Sequence, residues 1–241
     1  MRILIFDSKW KLSDLSELIG VIIGDGCLSN KSGSGKIEIC FNPKEKDFVN
    51  YVEYILKNIT EKNPSKIISK KAIRLVVYKN DFFNFLTQEV NLPHGKIKGK
   101  IVMIPEYITS LKWIYLKNTI RGIFDTDGSI SISRKPGISE YPSIEITTIS
   151  KNLAFQLFNI LNKYGFRTTI RNYKPKIGER TYKIGLYGYA MVNKWFREIG
   201  SSNKTKNQKF HKIIKMGQER FELSTIRDKG FHPPSPRSSA V

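Results

Sequence analysis

A nine-residue segment of this chain is written twice. Residues 18–26 read LIGVIIGDG and residues 120–128 read IRGIFDTDG, with Gly20, Asp25 and Gly26 returning as Gly122, Asp127 and Gly128 and apolar residues at the first, fourth and fifth places of both. A duplicated segment constrains a fold strongly, because each copy must build the same local structure and the second copy offers the first a surface of its own shape.

The order of elements around the segment repeats as well. After Asp25, alternation in Lys36 to Phe41 marks a strand, and Phe48, Val52, Ile55 and Leu56 have helical spacing. Ser65 to Ser69 and Ile73 to Tyr78 read as two more strands, and Asp81 to Val90 as a closing helix. After Asp127 come Ile130 and Ile132, then Ile144 and Ile146, alternating with polar residues. A helix over Leu153 to Leu161, strands over Phe166 to Tyr173 and Tyr182 to Tyr187, and a helix over Tyr189 to Ile199 complete the second copy. Each half reads αββαββα, an α+β architecture with one four-stranded antiparallel sheet per half, packed through the two motif helices. The expected units are residues 1–90 and 110–215. Residues 91–109, with Pro93, Gly95, Gly99 and Pro105, suit a linker better than a buried element, and residues 216–241, with Pro233, Pro234 and Pro236 among serines, suit a disordered tail.

Each motif aspartate ends an apolar helical run and precedes a glycine, the residue favoured in left-handed conformation past a helix end. A carboxylate at the negative end of a helix is unfavourable unless a cation offsets it. Gly20 with Gly24, and Gly122 with Thr126, form small-residue stripes that let two helix backbones approach closely. Packing stripe on stripe brings Asp25 and Asp127 to one end, where they would make a divalent-cation site.

Charge narrows the partner. The 241 residues carry 41 Lys and Arg against 21 Asp and Glu, a formal +20 that suits an acidic polymer. Residues 1–110 hold 17 basic and 12 acidic side chains and residues 111–241 hold 24 and 9, so the excess lies mainly in the second half. Cys27 and Cys40 are too few for a secreted disulfide framework and lack zinc-site spacing, which fits a reducing compartment. No run of about 18 apolar residues occurs, so no membrane partner is expected. The expected location is the cytoplasm of a prokaryote, archaeal in type, with an organelle as the alternative.

Both nine-residue segments resemble the LAGLIDADG motif, and the flanking order of elements is similar to that family over residues 13 to 215. The resemblance implies a monomeric homing endonuclease: a site-specific DNA endonuclease whose two sheets grip a long asymmetric double-stranded target and cut both strands with Mg²⁺, for which Mn²⁺ can substitute. It makes Asp25 and Asp127 the metal-binding carboxylates, brings in the carbonyls of Gly24 and Thr126, and places a lysine after each half's last helix near the reacting phosphate. Lys98 is the match in the first half; Lys204 and Lys206 are not separable in the second. The sixth motif position differs between copies, Ile23 against Asp125, a place of variable packing role. His94 and His211 lack acidic or metal partners in the sequence around them and receive no role.

Strand alternation assigns the face free for DNA: Lys36, Glu38, Arg74 and Tyr78 in the first half, and Ser129, Ser131, Ser143, Glu145, Thr147, Arg167, Thr169, Arg171, Tyr173, Lys183 and Tyr187 in the second. Basic and small polar groups on a ribbon suit the major groove. The same family includes RNA maturases that assist splicing of a host intron, so intron RNA stays open as a partner. A DNA-binding protein without cleavage is a further alternative, although no appended helix-turn-helix is visible. No obligate protein partner is expected. The run over Glu219 to Val241 resembles translation past an intron boundary into a neighbouring RNA gene, which would make the chain intron-encoded.

Overall fold

A computed structural model describes residues 10–31, 33–95, 98–135, 138–175 and 177–229. In the first half, helix α1 (Leu12–Asp25) leads into β1 (Gly26–Lys31) and β2 (Ser34–Phe41), then α2 (Lys46–Thr60), β3 (Ser65–Ile68), β4 (Ile73–Tyr78) and α3 (Asn80–Asn84), which continues as a π-helical turn over Phe85–Glu89. Two short helices follow, α4 (Lys98–Ile101) and α5 (Glu106–Thr109). The second half repeats the pattern as α6 (Trp113–Asp127), β5 (Gly128–Lys135), β6 (Ile138–Thr148), α7 (Lys151–Lys163), β7 (Thr168–Tyr173), β8 (Thr181–Tyr187) and α8 (Tyr189–Glu198), and ends on α9 (Lys204–Lys229).

Two antiparallel sheets result, ordered β1-β2-β4-β3 and β5-β6-β8-β7. Their registers match: Gly26 pairs with Ile39 as Gly128 pairs with Ile146, and Ile39 with Leu75 as Ile146 with Ile184. One face of each sheet covers the helices with Leu28, Ile37, Ile39 and Leu75, or with Ile144, Ile146, Ile184 and Leu186, all essentially buried. Helices α1 and α6 pack between the sheets, so Leu18, Ile19, Ile22, Ile120, Ile123 and Phe124 join both halves in one core.

Three local expectations change. The described part of residues 91–109 is packed: Leu92, Val102, Ile104 and Ile108 are buried. Ser150 Oγ donates to the Val102 carbonyl at 2.7 Å, while the Gln156 amide accepts from Ile104 N at 2.7 Å and donates to Ile104 O at 2.8 Å. Ser150, the N-cap of α7, and Gln156 within it thereby satisfy backbone groups of this segment, which Pro and Gly content does not reveal. The chain past residue 215 does not open as a coil, because α9 runs through to Lys229, with Phe210 and Ile213 buried at its start; the rest of the tail lies outside the described residues. Gly26 and Gly128 are extended, at φ −84° and −94°, where a left-handed cap was expected. They are glycines for space: an added Cβ would lie 2.6 Å from Ile22 Cα in one case and 2.4 Å from the Phe124 carbonyl oxygen in the other.

Candidate active site

The glycine stripes hold the two motif helices in backbone contact. A Cβ on Gly20 would lie 2.1 Å from the Thr119 carbonyl oxygen, and one on Gly122 2.4 Å from that of Glu17. The Thr119 hydroxyl donates to Ser16 O at 2.8 Å across the same seam. At the far end, a Cβ on Gly24 would meet the Thr126 hydroxyl at 2.0 Å and Asp127 Oδ2 at 3.1 Å. The Thr126 hydroxyl donates back to Ile123 O at 2.9 Å, so threonine behaves as a small residue here. Asp25 and Asp127 thus stand together where both helices end.

Partial burial raises both carboxylates. Asp127 is pushed up to about 6 by desolvation and then by the Asp25 charge, with Lys98 and Lys206 opposing. Asp25 is raised by desolvation and by Glu45, again against Lys98 and Lys206. Two acids at the negative ends of two helices create unfavourable negative potential that Lys98 and Lys206 offset only in part.

The lysines occupy equivalent positions. Lys98 is buried, and its ammonium donates to the carbonyls of Ile22 at 2.5 Å, Gly26 at 2.6 Å and Gly24 at 3.2 Å. Lys206, equally buried, donates to those of Phe124 at 2.6 Å and Asp125 at 2.8 Å. Each lysine therefore caps the carbonyl end of a motif helix, adding a donor to Ile22 O or Phe124 O, which already accept the Gly26 and Gly128 backbone N–H, and supplying one to Gly24 O or Asp125 O. Burial pushes Lys98 down to about 8 and lowers Lys206, with the nearby acids opposing in both. Of the two lysines left open in the second half, Lys206 is the one that reaches the helix end; Lys204 is exposed and pairs with Asp47 at 3.3 Å. The Gly24 carbonyl already receives Lys98, so a metal ion there would share it with an ammonium; Thr126 O is not among the acceptors of Lys206.

The two carboxylates open onto different clefts. A cavity of about 500 Å³ beside Asp25 is lined by Cys40, Asn42, Lys44, Lys70 and Lys71. One of about 220 Å³ beside Asp127 is lined by Gly24, Gly99, Thr147 and Ile149. Among the described residues no group of three His, Cys, Asp or Glu side chains could enclose a metal. Two carboxylates open to solvent fit a hard cation such as Mg²⁺, which keeps several waters and completes its shell with phosphate.

The outward faces align in register rows. Cys27, Glu38 and Val76 correspond to Ser129, Glu145 and Gly185, and Ser29, Lys36 and Tyr78 to Ser131, Ser143 and Tyr187. Cys40 and Arg74 correspond to Thr147 and Lys183, with Arg171 beside the latter. Arg74, Tyr78, Ser129, Ser131, Thr169, Arg171, Tyr173 and Lys183 are exposed, and Lys36 and Glu38 half-buried. Arg167, also exposed, falls one residue before β7. Glu38 is clamped by Lys36 and by Arg74 at 3.4 Å, and Glu145 by Lys183 at 3.4 Å and the Tyr187 hydroxyl at 3.0 Å. Ser143 is buried, its hydroxyl 2.9 Å from that of Ser131. Ser143, expected on the free face, is thus covered, and these ion pairs depend on a register that only the paired strands fix.

Two matched α+β units meeting at glycine-lined helices, with one carboxylate from each at their common end, define a two-repeat LAGLIDADG-type fold. A WhiA LAGLIDADG-like domain model matches residues 16–86 and a LAGLIDADG-like domain model residues 115–214. The chain belongs to the LAGLIDADG family. It is 27% identical over 195 residues to an uncharacterized protein of Methanocaldococcus jannaschii, covering 75% of this chain and 20% of that protein. It is also 27% identical to an ATP-dependent DNA helicase of the same organism, covering 91% of this chain and 19% of the helicase. The chain therefore spans about a fifth of the length of these relatives. Among solved structures, a mesophilic variant of the homing endonuclease I-DmoI superposes with a TM-score of 0.58 at 16% identity, over 78% of this chain and 96% of that one. The I-LtrWI homing endonuclease bound to target DNA superposes at 0.59 and 15% identity, over 90% and 97%. At such identities the likeness is one of fold.

Proposed function

We propose that this chain is a site-specific homing endonuclease that makes a double-strand break in a long DNA target by divalent-metal-dependent hydrolysis. The observation that carries this reading is the meeting of Asp25 and Asp127 at the joined ends of α1 and α6. When bound there, Mg²⁺ or Mn²⁺ would supply positive charge at the scissile phosphate and acidify a water. Asp25 and Asp127 would hold it, with the Gly24 and Thr126 carbonyls adjoining. Lys98 and Lys206 keep the helix ends from adding further negative potential. The outward rows of both sheets present Lys36, Arg74, Arg171 and Lys183 to phosphates and guanines, and Glu38 and Glu145 to bases with amino donors.

One chain supplies both motif helices, so the enzyme acts as a monomer, and residues 1–90 and 110–215 each contact one half of an asymmetric site. A mobile origin fits the relatives: the likeness to a helicase and to a tRNA-splicing ligase is confined to about a fifth of each, as expected of a module inserted into unrelated hosts. No helix among the described residues is long and apolar enough to cross a membrane.

The test is cleavage of a plasmid carrying the chain's own genomic flanks joined without the insertion. The proposal expects linearisation in Mg²⁺ and none in chelator. A protein that binds this junction but never nicks it in Mg²⁺ or Mn²⁺ would instead be a binding protein or an RNA maturase.

A further inference from the structure

Asp125 lies at the motif position where the first copy has Ile23, and it is 1% exposed. Its carboxylate accepts the Ser202 backbone N–H at 2.6 Å and the Ser201 hydroxyl, both in the turn between α8 and α9. That hydroxyl in turn accepts Asn203 N at 3.1 Å. Asn203, also buried, uses its side-chain oxygen to accept Thr205 N at 3.0 Å and Lys206 N at 3.4 Å, an N-cap for the helix that carries Lys206. The circuit closes when the Lys206 ammonium donates to the carbonyls of Phe124 and of Asp125 itself.

The same turn is fastened to the other half. The Ser202 hydroxyl donates to Glu17 on α1, and the Asn203 amide donates to Glu45 at 2.7 Å. Glu17 is 1% exposed and is bound by Arg121 of α6 and, at 2.8 Å, by the Tyr51 hydroxyl of α2. Among the described residues of the first half no carboxylate anchors the segment before Lys98 in this way: Ile23 packs in the core, and backbone bonds run from Gly95 N to Leu28 O and from Lys98 N to Gly95 O.

We infer that Asp125 is a positioning residue: through the Ser201–Asn203 turn it aims Lys206 at the C-terminal carbonyls of α6, and through Glu17 and Glu45 it fixes that lysine relative to the first half. This inference rests on the nuclease reading only for its purpose, not for its mechanics. A carboxylate suits the task because one side chain accepts a hydroxyl and a backbone N–H together. Asparagine keeps an oxygen for the Ser202 N–H, whereas alanine leaves the turn without its anchor.

The test is reductive methylation of the intact, metal-free protein, followed residue by residue by mass spectrometry. In the wild type, exposed Lys204 reacts quickly and Lys98 and Lys206 slowly. In Asp125→Ala, Lys206 should react at least tenfold faster while Lys98 stays protected, and Asp125→Asn should restore most of the Lys206 protection. A folded Asp125→Ala whose Lys206 stays protected would overturn the inference. So would equal exposure of Lys98 and Lys206, since that reports general loosening. If Asp125→Ala does not fold, Ser201→Ala decides, with a several-fold rise at Lys206 alone required. Absence of cleavage by every form would defeat the nuclease reading and leave this result standing.

Discussion

Asp127→Asn should make the metal-free protein more stable while removing its proposed activity. The wild-type carboxyl sits at about 6 against an ordinary 3.8 because it is desolvated and faces Asp25. At pH 7 that difference corresponds to about 3 kcal/mol held against the folded state. That value already includes the attraction of Lys98 and Lys206; the gain on neutralisation is smaller because the half-buried carboxylate faces an open cleft where solvent screens it, and about 1–2 kcal/mol remains once roughly half is discounted. For a chain of this size that raises the thermal midpoint by roughly 2–8 °C. The assay is a thermal melt at pH 7 in chelator, with urea unfolding as a second measure. A fall of more than about 1 kcal/mol would show that Asp127 is a structural cap and refute the electrostatic reasoning.

Because the folded Asp127 carboxyl is raised, the folded state binds more protons than the unfolded one between about 4 and about 6, so metal-free stability should fall as pH rises through that window. Melts across pH 4 to 7 should show this slope in the wild type and a flatter one in Asp127→Asn; equal slopes would contradict it. Lys98→Met leaves the Ile22, Gly24 and Gly26 carbonyls without their ammonium and should cost about 1–3 kcal/mol by urea unfolding. A neutral effect would mean that those carbonyls find water. Gly122→Ala sets a Cβ 2.4 Å from the Glu17 carbonyl oxygen and 2.8 Å from Val21 N, so it should destabilise by about 3 kcal/mol or more. Unchanged stability would mean the motif helices do not touch as described.

Much of this fold was legible because its repeat is written in period. The spacing of Phe48, Val52 and Ile55 reports burial directly, and so does the alternation in Ile73 to Tyr78 except at Val76, which is buried on the outward face. Strand β1, with Gly26 and polar Ser29 and Asn30, has too little alternation of its own and was visible only through its copy after Asp127. The site was half legible. Asp25 and Asp127 stand out because their helices and glycines repeat, and Lys98 because its loop follows the first unit. Lys206 could not be told from Lys204, since the distinction is a phase on α9 set by the Asn203 cap. Asp125 read as a packing variant because its partners lie 76 and 77 residues away. Its signal was an acid amid buried apolar neighbours, which a fold keeps only when it is paired.

Cleavage and binding measured side by side for Asp25→Asn and Asp127→Asn test the central claim most directly. DNA affinity, read in Ca²⁺ on the uninterrupted flanking sequence, should stay within a few-fold of wild type, because it draws on the sheet faces and the net charge. Double-strand cleavage in Mg²⁺ should disappear in both variants. If either variant cuts both strands at near the wild-type rate, the paired carboxylates do not form the active site.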